Sequence, residues 1–284
     1  MRFTGINLAA SFVLSFVACV YPPGAGTQAS VRAQEAQPAR QARVVRSPEA
    51  ARGIKRYEQG DFTEAVKALK QATKTQRADA TAWHFLALAY KQLGKEKDAR
   101  KAMENAVVLR LLRLSPGATG ELIKPWDELS REEREARRRE VAGRYREALA
   151  SVESYLQLNP TSADFWRRQY EGLSFHVLNA ERPEAEKAAF QTNDEGLAKA
   201  QVLSRVEPEY TERARQNGTE GRVVLRGALS PDGTVKHIIA LVMLPDGLTE
   251  KAIEAMRKVR FTPATKNGRP VSQWVTIEYH FNIY

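Results

Sequence analysis

Residues 221–243 read GRVVLRGALSPDGTVKHIIALVM and decide the fold of the last part of the chain. Apolar residues recur at every second position on both sides of residues 230–233 (SPDG), which predicts two strands at 222–229 and 235–243. In the second strand, the odd-numbered residues from Val235 to Met243 are expected to share one face. Proline followed by a nearby glycine is typical of a tight turn closed by a positive-φ residue, so the stretch predicts a β-hairpin.

Further elements flank this hairpin on both sides. Residues 209–217 have a short helical pattern that ends at Asn217-Gly218, and 248–259 place their apolar residues on one helical face. From Val271 onwards the residues alternate again, with Val275, Ile277, Tyr279, Phe281 and Ile283 on one side. The order is αββαβ. A single helix over 248–259 would cover one face of the sheet and leave the other face exposed to solvent.

The turn and boundary residues of this module closely resemble those of the C-terminal domain of the TonB family. They are Pro208, Tyr210, Ala214, Arg215, Gly218 and Gly221; Pro231-Asp232-Gly233; Phe261-Thr262-Pro263-Ala264; and Asn267-Gly268-Arg269-Pro270-Val271. One position departs from the pattern, because the family commonly has proline after the first tyrosine and Thr211 follows Tyr210 here. This departure concerns the entry loop and not the fold.

In the TonB family, the corresponding last strand takes up an extended segment of an outer-membrane receptor by strand addition. The resemblance therefore implies a peptide-binding strand made of Gln273, Trp274, Val275, Thr276, Ile277, Glu278, Tyr279, His280 and Phe281. Its backbone would supply the hydrogen bonds, and its side chains the selectivity. Two alternatives stay open at this point: the edge is covered within the full chain, or it pairs with a second copy to form a homodimer.

The first 33 residues have the layout of an export signal. Arg2 precedes an apolar run over 6–21, and residues 31–33 (VRA) offer a cleavage site before Gln34. Because a membrane span needs about 20 apolar residues, we expect cleavage and export to the periplasm. The alternatives are an uncut anchor in the inner membrane and lipidation at Cys19, which is the single cysteine of the chain.

The middle of the chain repeats with a period of 34 residues, the period of a tetratricopeptide repeat (TPR). Small and apolar positions of the first copy recur in the second: Gly53, Gly60, Ala65, Leu69 and Ala72 are matched by Ala87, Gly94, Ala99, Met103 and Ala106. Residues 83–90 also follow the order W-x-x-L-A-x-x-Y, which looks like a TPR. A third copy, with Gly143, Ala148, Val152 and Tyr155, follows an insertion near 115–129, and a trailing helix extends from Ala163 to about Ala180.

These patterns predict a multidomain chain with an all-α TPR array and a small α+β TonB C-terminal-like domain. The expected boundaries are a signal at 1–33, a linker at 34–48, the array at 49–180, a second linker at 181–199 and the last domain at 200–284. Residues 200–284 are expected to fold alone. The long proline-rich segment of a typical TonB protein is missing from the sequence.

Charge and chemistry favour protein binding. The chain carries a formal net charge of +10, and arginines cluster over 131–146, but glutamates alternate with these arginines at helical spacing. We therefore predict a solvated helix and no nucleic-acid partner. The four histidines are scattered, no phosphate-binding glycine loop is present, and we expect neither enzymatic activity nor a cofactor.

Two functions are compatible with this organisation. The first is a periplasmic TonB-like protein that binds receptor or other protein segments by strand addition and couples energy to transport across the outer membrane. Inner-membrane motor proteins would then be partners, although the family's motor contact uses a histidine in the anchor and no histidine precedes His84. The second is a periplasmic scaffold that does not transduce energy, with an unidentified protein ligand on its TPR array.

Overall fold

The computed structural model describes residues 47–115, 128–182, 187–192 and 194–283. The predicted signal at 1–33 lies outside these residues, as do nearly all of the first linker and most of the insertion near 115–129. In the described part of the chain, none of the helices combines the length and apolar character needed to span a membrane.

The first two repeats are two antiparallel helix pairs, as predicted. Their helices are α1 (Pro48–Glu58), α2 (Phe62–Thr75), α3 (Ala80–Gln92) and α4 (Glu96–Leu112). Gly60 and Gly94 form the turns within the pairs, at φ values of 80° and 69° that favour glycine. At Gly53, an added Cβ would lie 2.6 Å from Cγ of Leu69, so the small residue permits the close approach of α1 and α2.

The third copy of the repeat has a different local structure. Gly143, the counterpart of Gly60 and Gly94, lies inside one continuous helix, α5 (Arg131–Leu156), so this copy lacks the turn between two helices that the first two copies have. A capping box starts α5 at Ser130, and an ion pair of 2.6 Å between Arg144 and Glu140 extends across Gly143. These local interactions favour continuing the helix.

The charged first half of α5 is mostly exposed, and its arginines form ion pairs one turn apart, as the alternation of charges predicted. The trailing helix is α6 (Ala163–Glu181), close to its predicted bounds.

The last domain has the predicted αββαβ order with five additional short strands. The order includes α7 (Glu212–Asn217), β4 (Gly221–Leu229), β5 (Val235–Val242), α8 (Leu248–Arg257) and β8 (Arg269–Phe281). The additional strands are β1 (Ala189–Phe190), β2 (Leu197–Ala198), β3 (Gln201–Ser204), β6 (Arg260–Thr262) and β7 (Ala264–Lys266). The main sheet has the order β2-β7-β8-β4-β5, with β1 also beside β8, while β3 pairs separately with β6.

The segment 181–199 is not the free linker that its polar composition predicted. β1 pairs in parallel with β8, and β2 pairs antiparallel with β7. The buried amide of Asn179 in α6 fixes the start of β1: Oδ1 accepts from the amides of Ala188 and Ala189, at 2.7 and 3.0 Å, and Nδ2 donates to the carbonyl of Ala189. A two-residue strand lacks a readable period, so the sequence pattern could not reveal it.

The predicted alternation along β5 is interrupted at His237. Between the pairs Arg226↔Ile239 and Ala228↔Lys236, β5 advances one residue more than β4, and His237 takes a φ of 51° in this bulge. As a result, Val235 packs with α8 while Ile239 and Leu241 point to the opposite face. The expectation that these odd-numbered residues share one face is wrong.

Both faces of the sheet are covered, which corrects the prediction of a solvent-exposed second face. On one face, α8 packs on a core that includes Leu225, Ile277 and Tyr279. On the other, Val224, Ile239 and Leu241 belong to the core of the helical array, and α6 and α4 contact β5. The last helix of the array, α6, therefore also covers one face of the sheet.

Polar side chains of α6 take part in this packing. Oε1 of the buried Gln169 accepts from the amide of Ala240 at 2.8 Å, and an added Cβ at Gly172 would lie 3.3 Å from the carbonyl oxygen of His237. The ring of His176 stacks on Tyr145 at 3.7 Å and contacts Trp274 edge-on at 4.6 Å.

Candidate peptide-binding edge of the last strand

The two edges of β8 are paired very differently. Along its inner edge, β8 pairs antiparallel with β4 from Gln273 to Phe281. Along its outer edge, β7 covers 269–271 and β1 covers 272–273. Among the residues that the structure describes, no strand pairs with the outer edge from Trp274 to Phe281. We call this stretch the outer edge below.

Side-chain hydrogen bonds show which backbone groups face outwards. The hydroxyl of Thr192 donates to the carbonyl of Trp274 at 3.3 Å, and Nη2 of Arg205 donates to the carbonyl of Glu278 at 2.9 Å. Because the N–H and C=O of one strand residue point to the same side, the even-numbered residues direct their backbone groups to the outer edge. Thr276 and His280 thus present a donor and an acceptor to an incoming strand.

Gln273 does not belong to this site, although the resemblance placed it there. Its backbone position is opposite Phe190 of β1, and its side chain is buried. Nε2 donates to the hydroxyl of Thr192 at 3.1 Å, while Oε1 accepts from the amide of Ala200 at 2.7 Å. Its side-chain partners and its neighbour on the outer edge all belong to the segment predicted to be a linker or to its border, so Gln273 holds that segment against the sheet.

The side chains of β8 alternate as the sequence predicted. Ile277, Tyr279 and Phe281 are buried in the core beneath α8, and Val275 packs against it. Of the even-numbered residues, Trp274 is buried against α6, whereas Thr276, Glu278 and His280 are accessible. Selectivity for a ligand would therefore depend mainly on these three side chains.

Charged groups surround the accessible half of the strand. Nη1 of Arg222, on β4, lies 3.2 Å from Oε2 of Glu278, and Nε2 of His280 lies 3.1 Å from Oε1 of the same carboxylate. Thr276 accepts a hydrogen bond of 3.1 Å from Nη1 of Arg226. This face can form polar and ionic contacts with a bound chain.

Arg205 is a site residue that the sequence analysis missed. It follows β3, holds the outward carbonyl of Glu278 and lies over the ring of Tyr279, with 5.3 Å between guanidinium carbon and ring centroid. Burial raises the pKa of the Tyr279 hydroxyl, and the nearby Arg205 partly offsets this. No periodic pattern or turn motif marks Arg205, so a contact across 73 positions could not be read from the sequence.

Family models match both the helical array and the last domain. The model described as the Gram-negative bacterial TonB protein C-terminal matches residues 206–283, the αββαβ core with its open last strand. This segment therefore matches a TonB C-terminal domain. Models described as TPR repeat and as tetratricopeptide repeat match residues 53–94 and 80–110, which span most of the first two helix pairs.

Solved structures resemble each part separately. The solution structure of the Pseudomonas aeruginosa TonB C-terminal domain is 27% identical, with a TM-score of 0.27, and the match covers 33% of this chain and 93% of that one. The first TPR of Spaghetti (RPAP3), bound to the HSP90 peptide SRMEEVD, is 21% identical with a TM-score of 0.23, over 46% of this chain and 90% of that one. Among curated proteins, none matches the chain.

The departure from the family pattern at Thr211 has a structural role in the entry loop. Its hydroxyl accepts from the amide of Ala214 at 3.1 Å, which caps the first turn of α7, and donates to the carbonyl of Asp246 at 2.7 Å. Thr211 thereby ties α7 to the turn that precedes α8.

Proposed function

We propose that the chain binds an extended segment of an outer-membrane receptor by adding it as a strand along the outer edge of β8. The observation that carries this proposal is the contrast within β8, whose inner edge is paired throughout while its outer edge lacks a strand partner from 274 to 281 in the described chain. The TonB C-terminal domain at 206–283 supports a protein ligand of the receptor type. The export signal predicted at 1–33 supports a periplasmic location.

Arg205 and Thr192 occupy two of the backbone acceptors that an incoming strand would use. Each supplies one side-chain hydrogen bond to an outward carbonyl of β8, at Glu278 and Trp274. An incoming strand replaces both bonds with backbone donors and adds the bonds to Thr276 and His280. The core side chains of β8 already pack beneath α8, so a strand can be added along the outer edge without repacking the core.

Proline at position 276 tests strand addition. Thr276→Pro removes an outward donor but leaves the β4 ladder intact, whereas Ile277→Pro would remove an inner donor and break that ladder. With the full chain and synthetic peptides that copy the periplasm-facing segments of TonB-dependent receptors, Thr276→Pro should weaken binding by about tenfold or more in calorimetry.

Thr276→Val is the matched control, because it loses the hydroxyl contact with Arg226 and keeps the backbone N–H. It should bind within about twofold of the unaltered chain, since the removed hydrogen bond is partly exposed. A folded Thr276→Pro variant with unchanged affinity would overturn strand addition at this edge.

A scaffold without energy coupling is the second candidate function. Here α6 belongs to both the array and the sheet, so the TPRs and the receptor-binding domain are packed together instead of being separated by a long extended segment. Sequencing the mature N-terminus distinguishes the two candidates. A chain that begins at Gln34 lacks the anchor that direct coupling to an inner-membrane motor requires, whereas an uncut chain favours coupling.

A further inference from the structure

The segment that precedes α7 runs alongside the outer edge of β8 without pairing with it. Near its start, the amide of Ala200 donates to Oε1 of Gln273 at 2.7 Å. Further along, Nη2 of Arg205 donates to the carbonyl of Glu278 at 2.9 Å. Both contacts join residues 73 positions apart, so the segment advances in step with β8 and in the same direction. We call residues 200–207 the strap.

The strap takes its backbone partner from β6 and not from β8. β3, which lies within the strap, pairs antiparallel with β6 in a sheet separate from that of β8. The register shifts between Val202 and Ser204, which leaves Leu203 as an extra residue, and a bulge of this kind bends a strand. The bend comes just before Arg205. The strap is therefore attached to β6 through its backbone and to β8 through side chains.

The strap buries very little of its own surface. Residues 201–207 are all exposed, and its apolar side chains Val202, Leu203 and Val206 belong to residues that are 46%, 67% and 39% exposed. Burial therefore contributes little to holding the strap in place. Segments with few buried contacts and exposed hydrogen bonds open locally at low cost. The contact between strap and β8 can thus open while the core stays folded.

The guanidinium of Arg205 lies where an added strand would lie. Neighbouring strands of a sheet are about 4.8 Å apart, and Nη2 of Arg205 is only 2.9 Å from the carbonyl oxygen of Glu278. The same side chain extends over the ring of Tyr279, with 5.3 Å between guanidinium carbon and ring centroid. The backbone of a ligand strand and this guanidinium therefore compete for one acceptor and for the same space.

We propose that the strap is an autoinhibitory contact, and that its Arg205 end must leave β8 before a ligand strand is added along the outer edge. This inference rests on the proposed function for its ligand, an extended receptor segment. The chain exchanges between a closed form, with Arg205 on Glu278, and an open form, and only the open form accepts the ligand. The measured affinity is then reduced in proportion to the fraction of chains that are open.

Arg205→Ala tests the inhibition through the sign of its effect. In calorimetry with the full chain and synthetic peptides that copy the periplasm-facing segments of TonB-dependent receptors, this variant should bind about three- to tenfold more tightly, because its edge is free more of the time. Removal of an arginine that only contacts the ligand would weaken binding. Unchanged or weaker binding in Arg205→Ala would overturn the inhibition.

Arg257→Ala is the matched control for the change of charge. Arg257 is exposed at the end of α8, away from the contacts of the strap with β8, and its replacement removes the same single positive charge. It should bind the receptor peptides within about 1.5-fold of the unaltered chain. An equal gain in both variants would show a general effect of charge and overturn the strap.

Hydrogen exchange tests the anchor without any ligand. If Arg205 holds the strap, Arg205→Ala should lower the protection factors of the β3 amides about threefold or more and leave those of β4 unchanged. Arg257→Ala should change neither. Equal protection of β3 in Arg205→Ala and in the unaltered chain would overturn Arg205 as the anchor, whatever the receptor peptides do.

The side-chain NMR signal of Arg205 reports the release directly. Because Arg205 lies over the ring of Tyr279, the ring current displaces its Nε–H signal from that of a free arginine. Saturation with a receptor peptide should return this signal to the free position and leave that of Arg257 in place. A complex in which the amide of Thr276 shifts while the Arg205 signal stays would show a strand added with the strap closed, and would overturn the proposal.

Thr276→Pro separates this inference from the proposed function. If Thr276→Pro loses binding while Arg205→Ala gains it, both proposals stand. If Thr276→Pro loses binding and Arg205→Ala gains none, strand addition stands and the strap is overturned. If a folded Thr276→Pro variant binds as tightly as the unaltered chain, the outer edge is not the binding site and both proposals fall.

Discussion

The two faces of the sheet are both apolar and both covered, but the residues that cover them come from very different distances along the chain. α8 lies between strands β5 and β6 of its own module, whereas α6 belongs to the helical array and is separated from β5 in the sequence by β1, β2, β3, α7 and β4. The first face is closed by a local αββαβ pattern. The second face is closed by α6, which the sequence analysis assigned to the helical array as its trailing helix.

The polarity of the two interfaces also differs. Met256, Leu248 and Ala252 of α8 are fully buried and apolar. On α6, the buried residues include Gln169, His176 and Asn179, all with side chains that usually mark a surface. We call the sheet face covered by α6 the α6 face and the one covered by α8 the α8 face. Because buried polar groups require specific hydrogen-bond partners, the stability of the α6 face depends more on exact geometry than that of the α8 face.

Trp274→Ala should produce the largest effect and break the α6 face. Trp274 is 1% exposed and packs with Phe175, Ala189 and Ala228, so the cavity should cost about 3–5 kcal/mol of unfolding free energy. Met256→Ala is the counterpart beneath α8, with an expected cost of about 2–5 kcal/mol. Denaturant unfolding of the full chain provides both values.

These two variants should also differ in the order of unfolding. Loss of Trp274 weakens the contact between array and sheet, so the array and the last domain should unfold in separate transitions. Loss of Met256 leaves that contact in place. A single transition in both variants, with equal losses of stability, would contradict the distinction between the faces.

Acidification should weaken the α6 face. Burial, with a smaller contribution from Arg226, keeps the pKa of His176 well below its usual value of 6.5. The unfolded chain therefore binds the proton more readily, and the stability that His176 contributes above pH 6.5 is lost as the pH falls below that value. His176→Phe retains an aromatic ring and should flatten the decline in unfolding free energy between pH 7 and pH 5.

His84 offers a comparison within the array. Burial lowers its pKa from 6.5 to about 4, so preferential protonation of the unfolded chain should remove about 2 kcal/mol of unfolding free energy between pH 7 and pH 5. His84→Phe should flatten the decline by that amount without affecting the contact between array and sheet. Measurements at pH 8, where both histidines are neutral, separate these effects from changes in packing. An unaltered pH slope in His176→Phe would contradict the prediction for the α6 face.

Gln169→Ala should have an intermediate effect. It leaves the buried amide of Ala240 without its acceptor, at an expected cost of about 1–3 kcal/mol. The exposed Gln92 of α3 is the control, because Gln92→Ala should change the unfolding free energy by less than about 0.5 kcal/mol. Hydrogen exchange at the amide of Ala240 should accelerate in the first variant only.

The smallest effects should have opposite signs at two helical glycines. At Gly143 an added Cβ meets no atom within 4 Å, so Gly143→Ala should stabilise α5 by about 0.5–1 kcal/mol. At Gly172 the added Cβ lies 3.3 Å from the carbonyl oxygen of His237, so Gly172→Ala should lose that gain and destabilise by up to about 1 kcal/mol. Equal gains at both positions would show that the α6 face tolerates separation.

The sequence predicted what local periodicity encodes. The hairpin, α8, β8 and the first two repeats appear near their expected bounds because apolar spacing and glycine turns act within short distances. The cover over Val224 and Ile239 could not be predicted, since the buried Gln169 and His176 of α6 read as polar surface residues. Likewise, the bulge at His237 reverses a face with no proline or glycine in β5 to mark it; Gly227 lies within the register shift, on the partner strand β4.

In the candidate site too, local sequence patterns located the strand but not the contacts made by residues distant in the sequence. The resemblance to TonB located the strand, and Trp274 to Phe281 remain the proposed binding residues. It also included Gln273, whose exclusion depends on β1, a strand of two residues. Arg205 escaped detection because its partner carbonyl lies on β8, and backbone carbonyls have no signature in a sequence.

The shared helix α6 has a consequence for dividing the protein into pieces. A fragment that begins at residue 200 retains the αββαβ core but loses α6, β1 and β2, and with them the cover over Val224, Ile239, Leu241 and Trp274. Contiguous apolar surface of this kind promotes self-association. We therefore expect the isolated domain to aggregate or to dimerise through the uncovered face. The oligomeric state of such a fragment would result from the truncation and would not represent the intact chain.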